Sequence, residues 1–255
     1  MKTIHAPDAL PPLLTSRDAL FIDFDGTLTD IVARPELVTI DRGLVPLIER
    51  TQRLLGGALA VISGRSLREI DHYLLPLRLP GAGQHGAELR VHGAATPQRR
   101  IWPDVAAAAR VMQERYGDDP QLLLEVKGAT VALHYRAAPE RADECRRAVA
   151  EIAGRHGLAT LAGKMVVEMR PRGLHKGLAV EALLGRPLFN GRRPVFVGDD
   201  TTDEDGFTAA AARGGFGIKV GDGETGAQYR LDDVDAVHRW LADSADAAAR
   251  AKESA

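Results

Sequence analysis

The chain has one cysteine, Cys145, and so no intrachain disulfide can contribute to its fold. That usage suits a reducing compartment. No activating pattern accompanies the thiol, which sits in the helical-looking run Ala142–Ile152 and reads as an inert packing residue. Charge of neither sign is in excess: 33 Lys and Arg stand against 35 Asp and Glu, for a net charge of −2. The chain therefore carries no electrostatic footprint for nucleic acid or for an anionic membrane. Long apolar runs are also missing, and none approaches the ~18 residues that a membrane helix needs. Met1–Ser16 holds two consecutive prolines and no apolar segment of the kind a secretory leader requires. These absences point to a cytoplasmic protein, expected as a monomer, whose partners are small molecules, with no nucleic acid and no membrane.

With 255 residues, 45% apolar and 27% charged, the chain can bury a full core as one large domain or as a domain with an insert. Ala19–Asp23 is a short apolar run ending in an acid, as a buried parallel strand would. Residues 41–55 place Leu44, Leu47, Ile48, Leu54 and Leu55 at helical spacing, with Asp41 available as the N-cap. Gly57–Ile62 reads as a second strand, and Ser66–Glu69 as a capping box opening another helix. His175–Leu184 follows as a helix, Pro194–Val197 as a strand, Asp203–Arg213 as a helix and Gly217–Val220 as a strand. A last helix is expected over Asp232–Leu241, with residues 242–255 fraying. Strand alternating with helix implies a parallel, helix-covered sheet, an α/β core.

The middle of the chain has another rhythm. A helix over Pro103–Tyr116 precedes two strand-like runs, Leu122–Val126 and Thr130–Arg136, joined by Lys127-Gly128-Ala129. A second helix, Pro139–His156, precedes Leu158–Leu161 and Met165–Met169, separated by Ala162-Gly163-Lys164. Such short turns imply antiparallel hairpins and not crossovers. Residues 97–171 thus read as a small α+β domain, αββαββ, inserted into a core formed by 1–96 and 172–255. Hinges are expected near 95–98 and 170–173.

Four segments carry chemistry. In Asp23-Phe24-Asp25-Gly26-Thr27-Leu28, two aspartates two residues apart project to one side of a strand end, and Gly26-Thr27 turns the chain away. Ligands of open α/β sheets bind at that carboxyl edge. A carboxylate pair suits phosphoryl transfer, one group attacking phosphorus while the other handles the leaving-group proton. Taken alone, the same residues also compose an ordinary Asp- and Gly-rich turn. Ile62-Ser63-Gly64-Arg65 offers a hydroxyl and free backbone N–H groups before a capped helix, or is simply a helix-opening turn. His175-Lys176-Gly177 puts a lysine at a helix start, where acids are usually favoured; a surface lysine is the plainer alternative. Gly198-Asp199-Asp200-Thr201-Thr202-Asp203-Glu204-Asp205 packs five acids into seven residues, which repel one another unless a cation offsets them. Hard oxygen ligands of this kind suit Mg²⁺, although Asp203–Asp205 could also serve as helix caps.

Taken together, in this order and with an insert before the lysine, the four segments resemble the haloacid dehalogenase superfamily of phosphatases over essentially the whole chain. That resemblance implies a Rossmann-type parallel sheet with helices on both faces and an inserted cap. It implies Asp23 as the nucleophile that becomes an aspartyl-phosphate and Asp25 as the general acid and base. Ser63, Gly64 and Lys176 would grip phosphate. Asp199 would hold Mg²⁺ with Asp23 and the Asp25 carbonyl, and Asp203 would act from the outer sphere or orient Lys176. Mg²⁺ would let an anionic nucleophile approach an anionic phosphate.

The core segments say nothing about the rest of the substrate. Other stretches are similar to trehalose-6-phosphate phosphatases: Gly83–Glu88, Glu125–Gly128, Ala132–Arg136, Val167–Pro171 and Asp199–Glu204. Gln84 is a minor departure, standing where a small or apolar residue is more usual in that family. The resemblance implies a phosphorylated disaccharide as substrate, with Arg65, His85, Glu125, Lys127 and Glu168 around it. A disaccharide offers only hydroxyls, so charged hydrogen-bonding partners suit it. Two alternatives stay open at the level of sequence. One is another phosphatase or mutase of the superfamily, acting on sucrose 6-phosphate or a hexose phosphate. The other is a non-enzymatic phospho-acceptor module, which would be about half this length and lack the insert.

Overall fold

The computed structural model describes residues 10–32, 39–91, 98–99, 102–163 and 165–253. Expectations for residues 1–9, for the start of the insert and the first hinge at 95–97, and for Lys164 lie outside these. The chain divides into two compact units, one running to Gln98 and resuming at His175, the other Arg99–Leu174.

The first unit begins with β1 (Asp18–Ile22), α1 (Leu44–Leu54), β2 (Leu59–Ile62), α2 (Leu67–Tyr73) and three short strands, β3 (Gly81–Gly83), β4 (Glu88–Arg90) and β5 (Gln98–Arg99). The second unit holds α3 (Pro103–Tyr116), β6 (Leu123–Lys127), β7 (Thr130–His134), α4 (Ala142–Arg155), β8 (Leu158–Gly163) and β9 (Val166–Pro171). The first unit then resumes with α5 (Lys176–Leu184), β10 (Arg193–Gly198), α6 (Glu204–Ala212), β11 (Phe216–Val220), β12 (Tyr229–Leu231) and α7 (Val234–Glu253).

In the first unit the strands form one sheet in the order β12-β11-β10-β1-β2-β3-β4-β5. From β12 to β3 every neighbour is parallel. All five residues of β1 and all four of β2 are buried, as expected of strands covered by helices on both faces. Beyond β3 the expectation of a purely parallel sheet is corrected, because β4 runs antiparallel to β3. The connection between them is four residues, Gln84–Ala87, too short for a crossover. Register aligns the strands that matter most: Ile22 lies opposite Val197 on one side and Val61 on the other. The residues immediately after β1, β2 and β10 therefore share one edge. Aromatic pairs fill the layers around this sheet, with Phe21 stacked on Phe189 at 5.4 Å and Phe196 meeting Phe207 edge-on at 5.6 Å.

Several helix limits differ from the sequence reading; α4, for one, begins at Ala142 behind a 3-10 turn over Pro139–Arg141. Helix α1 begins at Leu44 with Gly43 at its N-cap; Asp41, two residues before the cap, instead accepts a hydrogen bond from the Gly43 amide at 2.6 Å. Helix α7 does not fray at 242 but continues to Glu253. Its extension is anchored by tertiary contacts that a local pattern does not show. Buried Ser244 accepts from the Leu14 amide at 3.1 Å, Trp240 donates to the Pro12 carbonyl at 3.1 Å, and Asp246 pairs with Arg50. The capping box of α2 forms as read, with Ser66 and Glu69 bonding each other's backbone amides.

The second unit is a four-stranded antiparallel sheet, β6-β7-β9-β8, with α3 and α4 packed on one face. Val105, Met112, Leu133, Val149, Ile152 and Met169 form its core, and Cys145 is buried among them as an inert thiol would be. On the opposite face, register places Glu125 beside Ala132 and Ala132 beside Glu168, in one row across three strands.

Replacing Phe207 by Ala should remove the ring that meets Phe196 and leave a cavity under the sheet. The expected loss is about 3–5 kcal/mol, read as a lower midpoint in urea with the slope unchanged.

Candidate active site

Asp23 is the first residue beyond β1, and its amide still donates to the Val197 carbonyl at 2.9 Å, so the ladder fixes its direction. The chain then turns within three residues: Leu28 N–H donates to the Phe24 carbonyl and Gly26 N–H to the Thr29 carbonyl, at 2.9 and 2.7 Å. Gly26 has φ +78°, and a Cβ there would lie 2.2 Å from Oδ2 of Asp199. Only glycine lets the Asp23–Thr27 turn lie against the Asp199 carboxylate.

Lys176 opens α5 behind His175, whose Nδ1 caps the helix by accepting from the Leu178 amide at 3.3 Å. The lysine is 2% exposed. Its Nζ lies 3.0 Å from Oδ1 of Asp23 and 2.7 Å from Oδ1 of Asp203. Burial works against its charge, but the flanking carboxylates override burial and hold its pKa well above the ordinary lysine range. Asp203 is fully buried, and its second oxygen accepts from the Asp200 amide at 3.0 Å. Burial pushes Asp23 well above the usual carboxylate range; Lys176 opposes this, while Asp203 and Asp199 add to it. Burial, then Asp203, pushes Asp199 up to about 6.

Oxygens of Asp23, Asp199 and Asp203 lie within 4.8 Å of one another. Three carboxylates around one ammonium leave negative charge uncompensated in a buried place. Moreover, Oδ1 of Asp199 is buried with no hydrogen-bond partner. An all-oxygen donor set with an orphaned carboxylate oxygen suits a hard divalent cation such as Mg²⁺. Of the four residues expected at the metal, the Asp25 side chain does not join this group. Its carboxylate is held by Arg65, which leaves only its carbonyl for such a role.

Ser63 follows β2 and is 1% exposed. Its amide donates to Ala82, and its carbonyl accepts from the His85 amide at 3.0 Å. Gly64 lets the His85 ring approach; a Cβ there would meet the ring at 3.0 Å. Gln84 and His85 both adopt the left-handed region, with φ of 50° and 56°. Two consecutive non-glycine residues there mark stored strain, often found at working sites. Arg65 forms a two-pronged pair with Asp25, 2.7 and 2.6 Å long, an arrangement that no spacing in the sequence discloses.

In the second unit, Glu125 accepts from His134 Nε2 at 3.2 Å and lies 3.0 Å from Lys127 Nζ. These partners, His134 foremost, bring its carboxyl down to about 2. Glu168 differs from its neighbour. Burial raises its pKa, Arg170 opposing, and its Oε1 is buried with no hydrogen-bond partner.

One residue escaped the sequence reading. Lys219 lies within β11, 5% exposed, and its ammonium donates to the Asp199 carbonyl and to the Val220 carbonyl, the latter at 2.7 Å. It thus pins the backbone of the residue whose carboxylate faces Gly26. The clue was a lysine inside the otherwise apolar run Phe216–Val220.

A parallel sheet whose neighbouring strand ends gather a buried aspartate, a lysine, a serine and an acidic loop defines a phosphatase of the haloacid dehalogenase type. The family model described as trehalose-phosphatase matches residues 21–235. The chain is 39% identical to the trehalose-6-phosphate phosphatase of Escherichia coli K12, covering 90% of this chain and 87% of that protein. It is 40% identical to a probable trehalose-phosphate phosphatase of Sinorhizobium fredii, over 84% and 82%. Among solved structures, a trehalose-6-phosphate phosphatase related protein superimposes with a TM-score of 0.75 at 29% identity, covering 91% of this chain and 99% of that one. The chain belongs to the trehalose-phosphatase family.

Gly26→Ala should displace the Asp199 carboxylate and reduce turnover by roughly 100-fold, the scale of an ångström of misplacement at a reacting centre. Gly191→Ala is the control, since Gly191 has φ +74° but open space around its Cβ position. Both variants should lose similar stability in a thermal melt, and only the first should lose phosphate release.

Proposed function

We propose that the chain hydrolyses trehalose 6-phosphate to trehalose and phosphate through an aspartyl-phosphate on Asp23. The observation that carries this reading is the buried Asp23 carboxylate held against Lys176 and Asp203 at the sheet edge. The names of the relatives support the choice of sugar. A carboxylate oxygen of Asp23 attacks phosphorus, the bond from phosphorus to the sugar oxygen breaks, and that oxygen takes a proton from Asp25. Asp25 then accepts a proton from water as the water oxygen attacks the phosphorus. Phosphate leaves, and the Asp23 carboxylate is restored. Ser63 and the Gly64 amide, with Lys176, hold the phosphoryl oxygens.

Mg²⁺ would be held by Asp23, Asp199 and the Asp25 carbonyl, supplying positive charge between nucleophile and phosphate. Asp203 stays with Lys176 and the Asp200 amide and keeps the ammonium aimed at Asp23. Glu125, Lys127 and Glu168 hydrogen-bond the sugar hydroxyls; the orphaned oxygen of Glu168 supports that role. No described helix is long and apolar enough to cross a membrane. The lone, buried Cys145 supports our assignment of the enzyme to the cytoplasm.

The test is phosphate release from trehalose 6-phosphate, sucrose 6-phosphate and glucose 6-phosphate, side by side. Turnover should be fastest on the first, vanish in a folded Asp23→Asn variant, vanish in EDTA and return with Mg²⁺. Near wild-type release by Asp23→Asn would sink the nucleophile assignment, and preference for another ester would sink the substrate.

Glu125→Ala, Lys127→Ala and Glu168→Ala should each lower kcat/KM for trehalose 6-phosphate by roughly 10- to 100-fold, the scale of a lost hydrogen bond to a charged group. Hydrolysis of a small aryl phosphate should change far less. Equal losses on both substrates would remove these residues from the sugar site.

A further inference from the structure

Asp25 does not point freely from its strand end. Arg65 donates from Nε to Oδ2 at 2.7 Å and from Nη2 to Oδ1 at 2.6 Å, so both carboxylate oxygens are engaged by one planar fork. The arginine side chain is 10% exposed, against 36% for Asp25. Its guanidinium carbon lies 5.7 Å from the Phe24 ring centroid and 5.3 Å from that of Tyr73, and the two rings stack on each other at 5.7 Å. The backbone of Arg65 is fixed as well: its amide donates to Ser63 Oγ at 3.1 Å, and its carbonyl accepts from the Gln84 amide at 2.9 Å. A long side chain is thus held at its base by the loop after β2 and at its guanidinium end by aromatic rings.

We propose that Arg65 is the positioning residue for Asp25. It aims the carboxylate and lets one oxygen go while keeping the other. This rests on the reading of Asp25 as proton donor and acceptor. To protonate the sugar oxygen as the bond to phosphorus breaks, Asp25 must free one oxygen that Arg65 now holds, and that oxygen must first take up a proton from water. A two-pronged pair permits this without loss of direction, because the carboxylate pivots about the remaining bond. The packed rings keep the guanidinium from following it. A lysine, with a single point of charge, would hold the carboxylate at one point and leave its orientation open.

The experiment compares Arg65→Met, Arg65→Lys and Asp25→Asn in the full chain, each checked for a cooperative thermal melt. Steady-state kinetics on trehalose 6-phosphate are set beside first-turnover release of the alcohol from 2,4-dinitrophenyl phosphate, whose leaving group needs no proton. Arg65→Met should lower kcat on trehalose 6-phosphate by about 10- to 100-fold, with KM and the first-turnover rate both within about threefold of wild type. Arg65→Lys should recover only part of that loss. Asp25→Asn should show the same split, more severely. Unchanged kcat in Arg65→Met, a loss confined to KM, or an equal loss in the first turnover would each overturn the assignment. The KM result would instead make Arg65 a sugar contact. If Asp25→Asn itself turned over trehalose 6-phosphate near the wild-type rate, the reading of Asp25 would fail and take the inference with it. An affected Asp25→Asn beside an unaffected Arg65→Met sinks only the role of Arg65.

Discussion

Everything at the sheet edge is organised around one buried ammonium. Lys176 is almost wholly removed from water, and burying a charge costs on the order of several kcal/mol unless partners are in place. Asp23 and Asp203 are those partners, and both are buried with it. Neither carboxylate could be removed without leaving the ammonium underpaired. Two carboxylates already outweigh one ammonium, and Asp199 adds a third, so the group as a whole suits a further cation. The proposed nucleophile, phosphate clamp and metal position thus share one requirement of charge balance.

The fold meets that requirement through parallel register. Because β2, β1 and β10 are neighbours running in one direction, Ser63, Asp23 and Asp199 emerge side by side, although up to 176 residues apart in sequence. Helix starts supply the remainder, with Lys176 at the head of α5 and Asp203 just before α6. Small residues then bring these pieces to contact distance. Gly26 lies against Asp199, and Gly177 brings the head of α5 within reach of the Asp205 carbonyl. The separation of tasks follows from chemistry. In the proposed function, charge and amides at the sheet edge serve the phosphate, and the row of Glu125 and Glu168 in the second unit is reserved for sugar hydroxyls.

Much of this was legible in the chain itself. Short apolar runs ending in acids, serine or glycine located β1, β2 and β10, because a strand buried on both faces has little freedom in composition. Asp23, Asp25, Ser63, Lys176, Asp199 and Asp203 stood out because phosphate and metal chemistry demand those residue types at strand ends and helix starts. The repeated helix–strand–strand rhythm gave away the second unit, since connections of two or three residues admit only hairpins.

What tertiary structure alone decided are contacts between residues that no period connects. The three-residue strands β3, β4 and β12 exist because neighbouring strands offer them hydrogen bonds; their own sequences are too short to show a pattern. Helix α7 runs on to Glu253 because Ser244 and Asp246 find partners at Leu14 and Arg50, more than 190 residues away. Lys219 reaches the Asp199 carbonyl only because β11 pairs with β10. Arg65 and Asp25, 40 residues apart, meet because β1 and β2 are adjacent, which turns an expected substrate contact into the grip on the second carboxylate. Residue type and local spacing determine which groups are available at an edge. Which of them touch depends on strand order and packing, set by contacts across the whole chain.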